Sequence, residues 1–281
     1  MDEGHAERYN FRSQRIAAIT PDFSKTQFQM SLPPELSIVI PAYNEEHRLH
    51  KSLARIGAFL ATRSCSAEII VVNDASTDGT SQVVENFRKE CPNLRLITTQ
   101  RNHGKGFSVR LGMLEARGDL ALFTDADLAA PIEEADKLLA ALRDNDCDGV
   151  IGSRAVDRTL IEVHESQFRE FAGIIFNFLV RLITGVPFAD TQCGFKIFRR
   201  DRARIIFEQQ RIQGFGFDPE ILFLARRHGL HIVEIPVRWA HDPATKVRLL
   251  CDGALMFLGL LAIRWNAWTG RYPRNGGSVD A

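Results

Sequence analysis

Between Leu36 and Gly152, apolar runs of strand length alternate with stretches whose apolar residues recur at helical spacing. This alternation predicts strands over Leu36–Ile40, Glu68–Val72, Leu94–Thr98, Leu120–Thr124 and Gly149–Gly152. The intervening helices are expected through Leu49, Leu53, Ile56 and Leu60, then over Thr80–Phe87, Gly106–Ala116 and Pro131–Leu142, with Pro131 in a first turn. Short strands separated by helices of ten to fifteen residues demand right-handed crossovers, so the expected fold is α/β with a mainly parallel central sheet flanked by helices. In such sheets ligands collect beyond the C-terminal strand ends.

One strand end stands out. The run Leu120–Thr124 stops at Asp125-Ala126-Asp127. In extended chain, residues i and i+2 point the same way, so Asp125 and Asp127 project together from the tip. Two hard oxygen ligands are half of a divalent-cation site that diphosphate oxygens and water could complete. A polar strand end with an Asx turn is the plainer reading of the same residues.

The other strand ends carry compatible chemistry. The first runs into Pro41-Ala42-Tyr43-Asn44-Glu45-Glu46, offering an aromatic to stack a base and carboxylates for a ribose; Asn44 and Glu46 could instead cap the next helix. The second ends in Asn73-Asp74, where Asp74 could accept from a base or ribose, while Asp78 and Thr80 read as turn and capping residues. The third leads to Asn102-His103-Gly104-Lys105-Gly106, a glycine-flanked lysine at a helix start and a reasonable diphosphate cradle. It is neither a Walker A loop nor a complete dinucleotide fingerprint.

Beyond Ser153 the pattern changes. A helix is expected over Gln167–Ile183, a strand over Thr191–Phe198, a helix over Asp218–Arg227, a strand over His231–Trp239 and a very apolar helix over Leu249–Trp265. The first and last of these helices are apolar over wide arcs, which fits core packing or, alternatively, contact with a membrane surface. Their longest uncharged runs are too short to span a bilayer. Lys and Arg together balance Asp and Glu at 35 each, so no global field favours nucleic acid, and no nucleic-acid partner is expected. Five scattered cysteines without a C-x-x-C pair, and a polar N-terminus, point to reduced thiols and no signal peptide.

Taken jointly, Pro41-Ala42-Tyr43-Asn44-Glu45, Asn73-Asp74-x-Ser76-x-Asp78-Gly79-Thr80, Asn102-x-Gly104-Lys105-Gly106 and Asp125-Ala126-Asp127 resemble the family-2 glycosyltransferases of the GT-A (Rossmann-like) fold. Gly152-Ser153-Arg154, Asp190-Thr191-Gln192-Cys193-Gly194-Phe195-Lys196, Gly216-Phe217-Asp218-x-Glu220 and Glu234-Ile235-Pro236-Val237-x-Trp239 narrow the resemblance. They are similar to enzymes that load sugars onto polyprenyl phosphates, with dolichyl-phosphate β-glucosyltransferases nearest and mannose synthases next. The resemblance implies that Pro41, Tyr43, Glu45, Asp74, Lys105 and Ala126 hold a nucleotide-sugar donor. Asp125 and Asp127 would bind Mg²⁺ or Mn²⁺. Arg154 and Arg169, both also placed in the catalytic set, would receive the acceptor phosphate with Lys246 and Arg248. Ala129 stands where mannose synthases commonly have glutamine, which favours UDP-glucose over GDP-mannose.

The domain division expected is an extension over 1–35, a catalytic unit over 36–248 and an apolar C-terminal segment over 249–281, peripheral on the cytoplasmic face of a membrane. Three rival readings stay open: a non-lipid acceptor, a nucleotidyltransferase, and a nucleotide-sugar binder without turnover. His103 and His164 are available as bases, although a phosphate acceptor needs none. Asp190 reads as a strand-start residue that could line the sugar or acceptor site, and Cys193 as a buried small residue.

Overall fold

The computed structural model describes residues 34–164, 166–241 and 249–273. Most of the extension expected over 1–35, together with Lys246 and Arg248, lies outside them. The first half follows the predicted alternation: β1 (Leu36–Ala42), α1 (Leu49–Ala61), β2 (Ala67–Asn73), α2 (Thr80–Arg88), β3 (Leu94–Thr98), α3 (Lys105–Glu115), β4 (Leu120–Phe123), α4 (Ala135–Asp144) and β5 (Gly149–Ser153). A 3₁₀ turn over Ile132–Glu134 precedes α4, so Pro131 caps that turn instead of entering the helix.

The second half holds β6 (Ile161–Val163), α5 (Gln167–Thr184), β7 (Lys196–Arg199), α6 (Arg200–Gln209), α7 (Phe217–Arg227), β8 (Ile232–Pro236), β9 (Trp239–Ala240) and α8 (Leu249–Trp268). The strand expected over Thr191–Phe198 is shorter, because residues 191–195 form a loop packed against the strand tip of β4. Gly194 is required there: a Cβ on it would overlap the Asp125 carboxylate. The strand expected over His231–Trp239 ends at Pro236, and Trp239 opens β9 instead. Neither α6 nor the small β6–β9 pair was expected.

The seven-stranded sheet runs β3-β2-β1-β4-β7-β5-β8. β1, β2, β3 and β4 are parallel, as are β5 and β8, while β7 lies antiparallel between β4 and β5. The sheet is therefore mainly parallel, with one reversed strand inside it. Alternate residues of β1 point into two cores: Ile38 and Ile40 toward α1 and α2, Val39 toward α3 and the later helices. β1 pairs β2 on one side and β4 on the other, so the chain leaves it in opposite directions. The crevice beyond that switch point is where open α/β sheets seat ligands.

Candidate active site

Four loops meet at that crevice. The loops after β1 and β2 are laced to each other: Asn44 N–H donates to Ser76 Oγ (2.9 Å), Thr77 N–H to Asn44 Oδ1 (2.8 Å) and Gly79 N–H to Glu46 Oε2 (2.6 Å). Asn44 and Glu46 therefore do not cap α1, whose first residue is Leu49. They hold the two loops at a fixed separation, with Asn44 itself in the left-handed region at φ 55°. Pro41 is buried at the end of β1. Tyr43 is 40% exposed at the mouth, and Glu45 is buried in an ion pair with Arg48.

Asp74, expected to accept from a base or ribose, also has donors within the protein. Its buried carboxylate accepts from His103 N–H (3.0 Å), Gly104 N–H (2.6 Å) and the Thr99 hydroxyl (3.0 Å). It thus holds the turn that presents Lys105. Gly104 sits at φ 103° within contact of the Gln213 carbonyl, a conformation and clearance that a side chain would not tolerate.

Lys105 opens α3 and reaches across the crevice, with its Nζ 2.5 Å from Asp125 Oδ1. That oxygen is buried and accepts no well-aligned hydrogen bond, so the contact is one of charge. Burial alone would lower the Lys105 pKa, but Asp125, then Asp218 and Asp127, outweigh it and raise it. Asp127 Oδ1 accepts from Ala129 N–H (3.0 Å), and Arg48 lies 3.8 Å from its other oxygen. Burial, and then the neighbouring Asp125 charge, push the Asp127 carboxyl up. Ala126 is buried, and its carbonyl accepts from Ser52 Oγ (2.6 Å), which anchors the strand tip to α1.

Arg154 follows β5. Its guanidinium grips Asp190 with Nε 2.7 Å from Oδ2 and a second nitrogen 3.0 Å from Oδ1, and it lies over the Trp239 ring at 5.3 Å. Asp190 is thus a buried loop residue that orients Arg154, not a strand start. Burial works to raise its pKa, yet the Arg154 charge and hydrogen bonds prevail and hold it at about 2. Arg154 and Arg169 line one pocket, with Arg158, Glu170, Ile161, Ile174 and Trp239 around them. Cys193 is buried as expected, and burial lifts its thiol to about 12. His103 is stacked on Phe107 at 4.2 Å, and His164 is paired with Glu170 (2.7 Å).

Residues 37–206 match glycosyl transferase family 2. The chain belongs to that family. It is an α/β glycosyltransferase of the GT-A fold. It is 39% identical over 223 residues to the dolichyl-phosphate beta-glucosyltransferase of Trichomonas vaginalis, covering 76% of this chain and 68% of that one. It is 33% identical over 250 residues to the human dolichyl-phosphate beta-glucosyltransferase, covering 85% and 77%. Among solved structures, glucosyl-3-phosphoglycerate synthase of Mycobacterium tuberculosis, held with Mn²⁺, UDP and glucosyl-3-phosphoglycerate, superposes with TM-score 0.58. It is 18% identical, covering 87% of this chain and 82% of that one. Mannosyl-3-phosphoglycerate synthase of Rubrobacter xylanophilus gives TM-score 0.59 at 18% identity, covering 88% and 79%.

For a family-2 glycosyltransferase, four partners in this site escaped sequence reasoning. Arg48 lies beside Glu45 and Asp127, Arg158 joins the Arg154 pocket, and Lys196 and Asp218 form a buried pair behind Lys105. The last two stood inside quoted motifs, and a lysine and an aspartate in otherwise apolar surroundings were the available signal. The site also suits a divalent cation: two carboxylates converge and one buried oxygen lacks a well-formed hydrogen bond. Among the described residues no third His, Cys, Asp or Glu joins these two carboxylates in one cluster.

The apolar face of α5 is a further departure from ordinary packing. Phe168, Phe171, Ile174, Ile175, Phe178 and Leu182 are all exposed, and on α8 so are Leu255, Leu258, Leu261, Trp265 and Trp268. Core packing accounts for the inner faces of these helices, with Val180 buried and Phe176, Leu179 and Ile183 packed beside it on one, and Leu260 and Ile263 buried on the other. Among the described residues no helix is long and apolar enough to cross a membrane.

Proposed function

We propose that this glycosyltransferase moves glucose from UDP-glucose onto a polyprenyl phosphate of the dolichyl type, giving a β-linked lipid-phosphate sugar. The observation that carries the reading is that Ile174 belongs both to the pocket lined by Arg154 and Arg169 and to the exposed apolar face of α5. A phosphate bound by the arginines would have its hydrocarbon tail beside that face. The glucosyl donor follows the names of the relatives, and UDP accords with the ligand of the Mycobacterium enzyme.

In this reading Tyr43, Glu45 and the loops that Asp74 holds in place receive the nucleoside. Asp125 and Asp127 hold Mg²⁺ or Mn²⁺, which when bound neutralises diphosphate charge and favours departure of the nucleotide. Lys105 adds a positive charge on the same leaving group. Arg154, fixed by Asp190, and Arg169 bind the acceptor and aim one of its oxygens at the anomeric carbon. The second pKa of a phosphate monoester is near ~6, so the acceptor is already ionised at neutral pH and no protein base removes a proton. In-line attack inverts the α-linked donor. The catalytic unit spans 36–248, and the segment from 249 adds α8 to the apolar face. The protein rests on the cytoplasmic face of a membrane through α5 and α8, with Trp265 and Trp268 at the lipid–water boundary.

Supplying UDP-glucose or GDP-mannose with either a short polyprenyl phosphate or soluble 3-phosphoglycerate tests the substrates. Label should enter the organic phase from UDP-glucose only. Transfer to 3-phosphoglycerate would favour the non-lipid reading, and transfer from GDP-mannose would replace the donor.

Membrane contact is tested separately by liposome flotation. Burying one phenylalanine in lipid is worth roughly 1.5–3 kcal/mol, so replacing Phe171 and Phe178 together with serine should lower partitioning at least about tenfold. Because both side chains are exposed, the melting temperature should hold. Unchanged flotation would remove α5 from the contact.

A further inference from the structure

We propose that Lys105 is the resident counter-ion of Asp125, and that it makes binding of the divalent cation depend on the nucleotide. The inference rests on the metal-dependent reading given above and goes beyond it. Lys105 sits 2.5 Å from the carboxylate oxygen that a metal would need. A cation arriving alone must displace that ammonium from a partly buried ion pair, leaving it with no new partner. The other carboxylates whose charge reaches Lys105 are Asp218, already paired with Lys196 at 2.5 Å, and Asp127, which the same cation would take as its second ligand.

A nucleoside diphosphate changes this balance. Its oxygens offer the displaced ammonium a new anion and at the same time supply ligands that the two carboxylates lack. Metal and nucleotide therefore each favour the other, a coupling that must be reciprocal. Arg48 does not serve in the same way, because Glu45 holds it in an ion pair and it approaches Asp127 only to 3.8 Å. The turn that carries Lys105 is fixed by Asp74, so the lysine changes partner by moving its side chain and the backbone stays in place.

The test is titration of Mn²⁺ alone, followed through the free-ion paramagnetic resonance signal, with and without UDP. The wild-type protein should bind Mn²⁺ weakly, and at least tenfold more tightly once UDP is present. Lys105→Met should bind Mn²⁺ alone at least tenfold more tightly than the wild type, with a smaller gain from UDP. Lys105→Arg, which keeps the positive charge, should retain weak binding without UDP, and both variants should be checked for an unchanged melting curve. If Lys105→Met binds Mn²⁺ alone no better than the wild type, while UDP still strengthens binding in both, the counter-ion role is wrong. If wild-type protein with UDP binds no Mn²⁺ at all, the metal reading falls and this proposal falls with it.

Discussion

Lys196→Met is expected to destabilise the protein by about 3–5 kcal/mol, the usual consequence of leaving one member of a buried ion pair without its partner. Lys196 is fully buried, and its ammonium donates to the Cys193 carbonyl (2.5 Å) and the Asp218 carboxylate (2.5 Å), with the Phe123 ring beneath it at 5.3 Å. Burial already pushes the Asp218 carboxyl up despite the lysines nearby. Without Lys196, Asp218 should take up a proton on folding. A thermal melt should show a fall on the order of 10 °C. Lys196→Met combined with Asp218→Leu should recover most of that loss, because an apolar pair of similar volume has no charge to desolvate. A single variant within 1 kcal/mol of wild type would contradict the assignment of this pair as a buried structural tie.

The pair shows where sequence reasoning stops. Strands β1, β2 and β4 were legible because buried strands read as near-continuous apolar runs, and the edge strand β3 (Leu-Arg-Leu-Ile-Thr) because it keeps the spacing of the alternation. Helix α6 was not, since Ala203, Ile206 and Phe207 form a narrow apolar stripe among charged residues, although they are spaced like one helix face. The two- and three-residue strands β9 and β6 are too short to carry a period. The apolar stripe of α5 was visible as a helix, but periodicity states only that one face is apolar. Whether protein or lipid covers that face is decided by which elements lie opposite it in space.

The site divides in the same way. Asp125, Asp127 and Lys105 stood out because each follows a predicted strand or adjoins a predicted helix start, and the fold gathers strand ends in one place, whereas Arg154 was named through the family resemblance. Their partners did not stand out. Asp190 meets Arg154 across 36 residues of chain and Lys196 meets Asp218 across 22. Both contacts depend on β7 and the loop leading into it, because β7 enters the sheet in reverse between β4 and β5. Asp74 was visible at its strand tip, but its hold on the next loop was not: an acidic residue at a strand tip looks the same whether it faces a ligand or the backbone of the next loop.

The larger effect expected on chemistry is that of Asp127→Ala. This removes one of two carboxylates able to hold a divalent cation, and with it stabilisation of the charge that develops on the departing nucleotide. Losing about 4 kcal/mol of transition-state stabilisation slows transfer roughly 10³-fold. Folding should be little affected. Asp127 carries a raised carboxyl pKa, and its ordered contacts are one backbone N–H at 3.0 Å and a long approach from Arg48. The most direct measurement follows label from radioactive UDP-glucose into a short polyprenyl phosphate, with and without EDTA, for wild type and Asp127→Ala. Label in the organic phase that disappears with EDTA and falls about a thousandfold in the variant is the predicted result. Transfer that survives both EDTA and the substitution would contradict the assignment of Asp125 and Asp127 as the centre of this site.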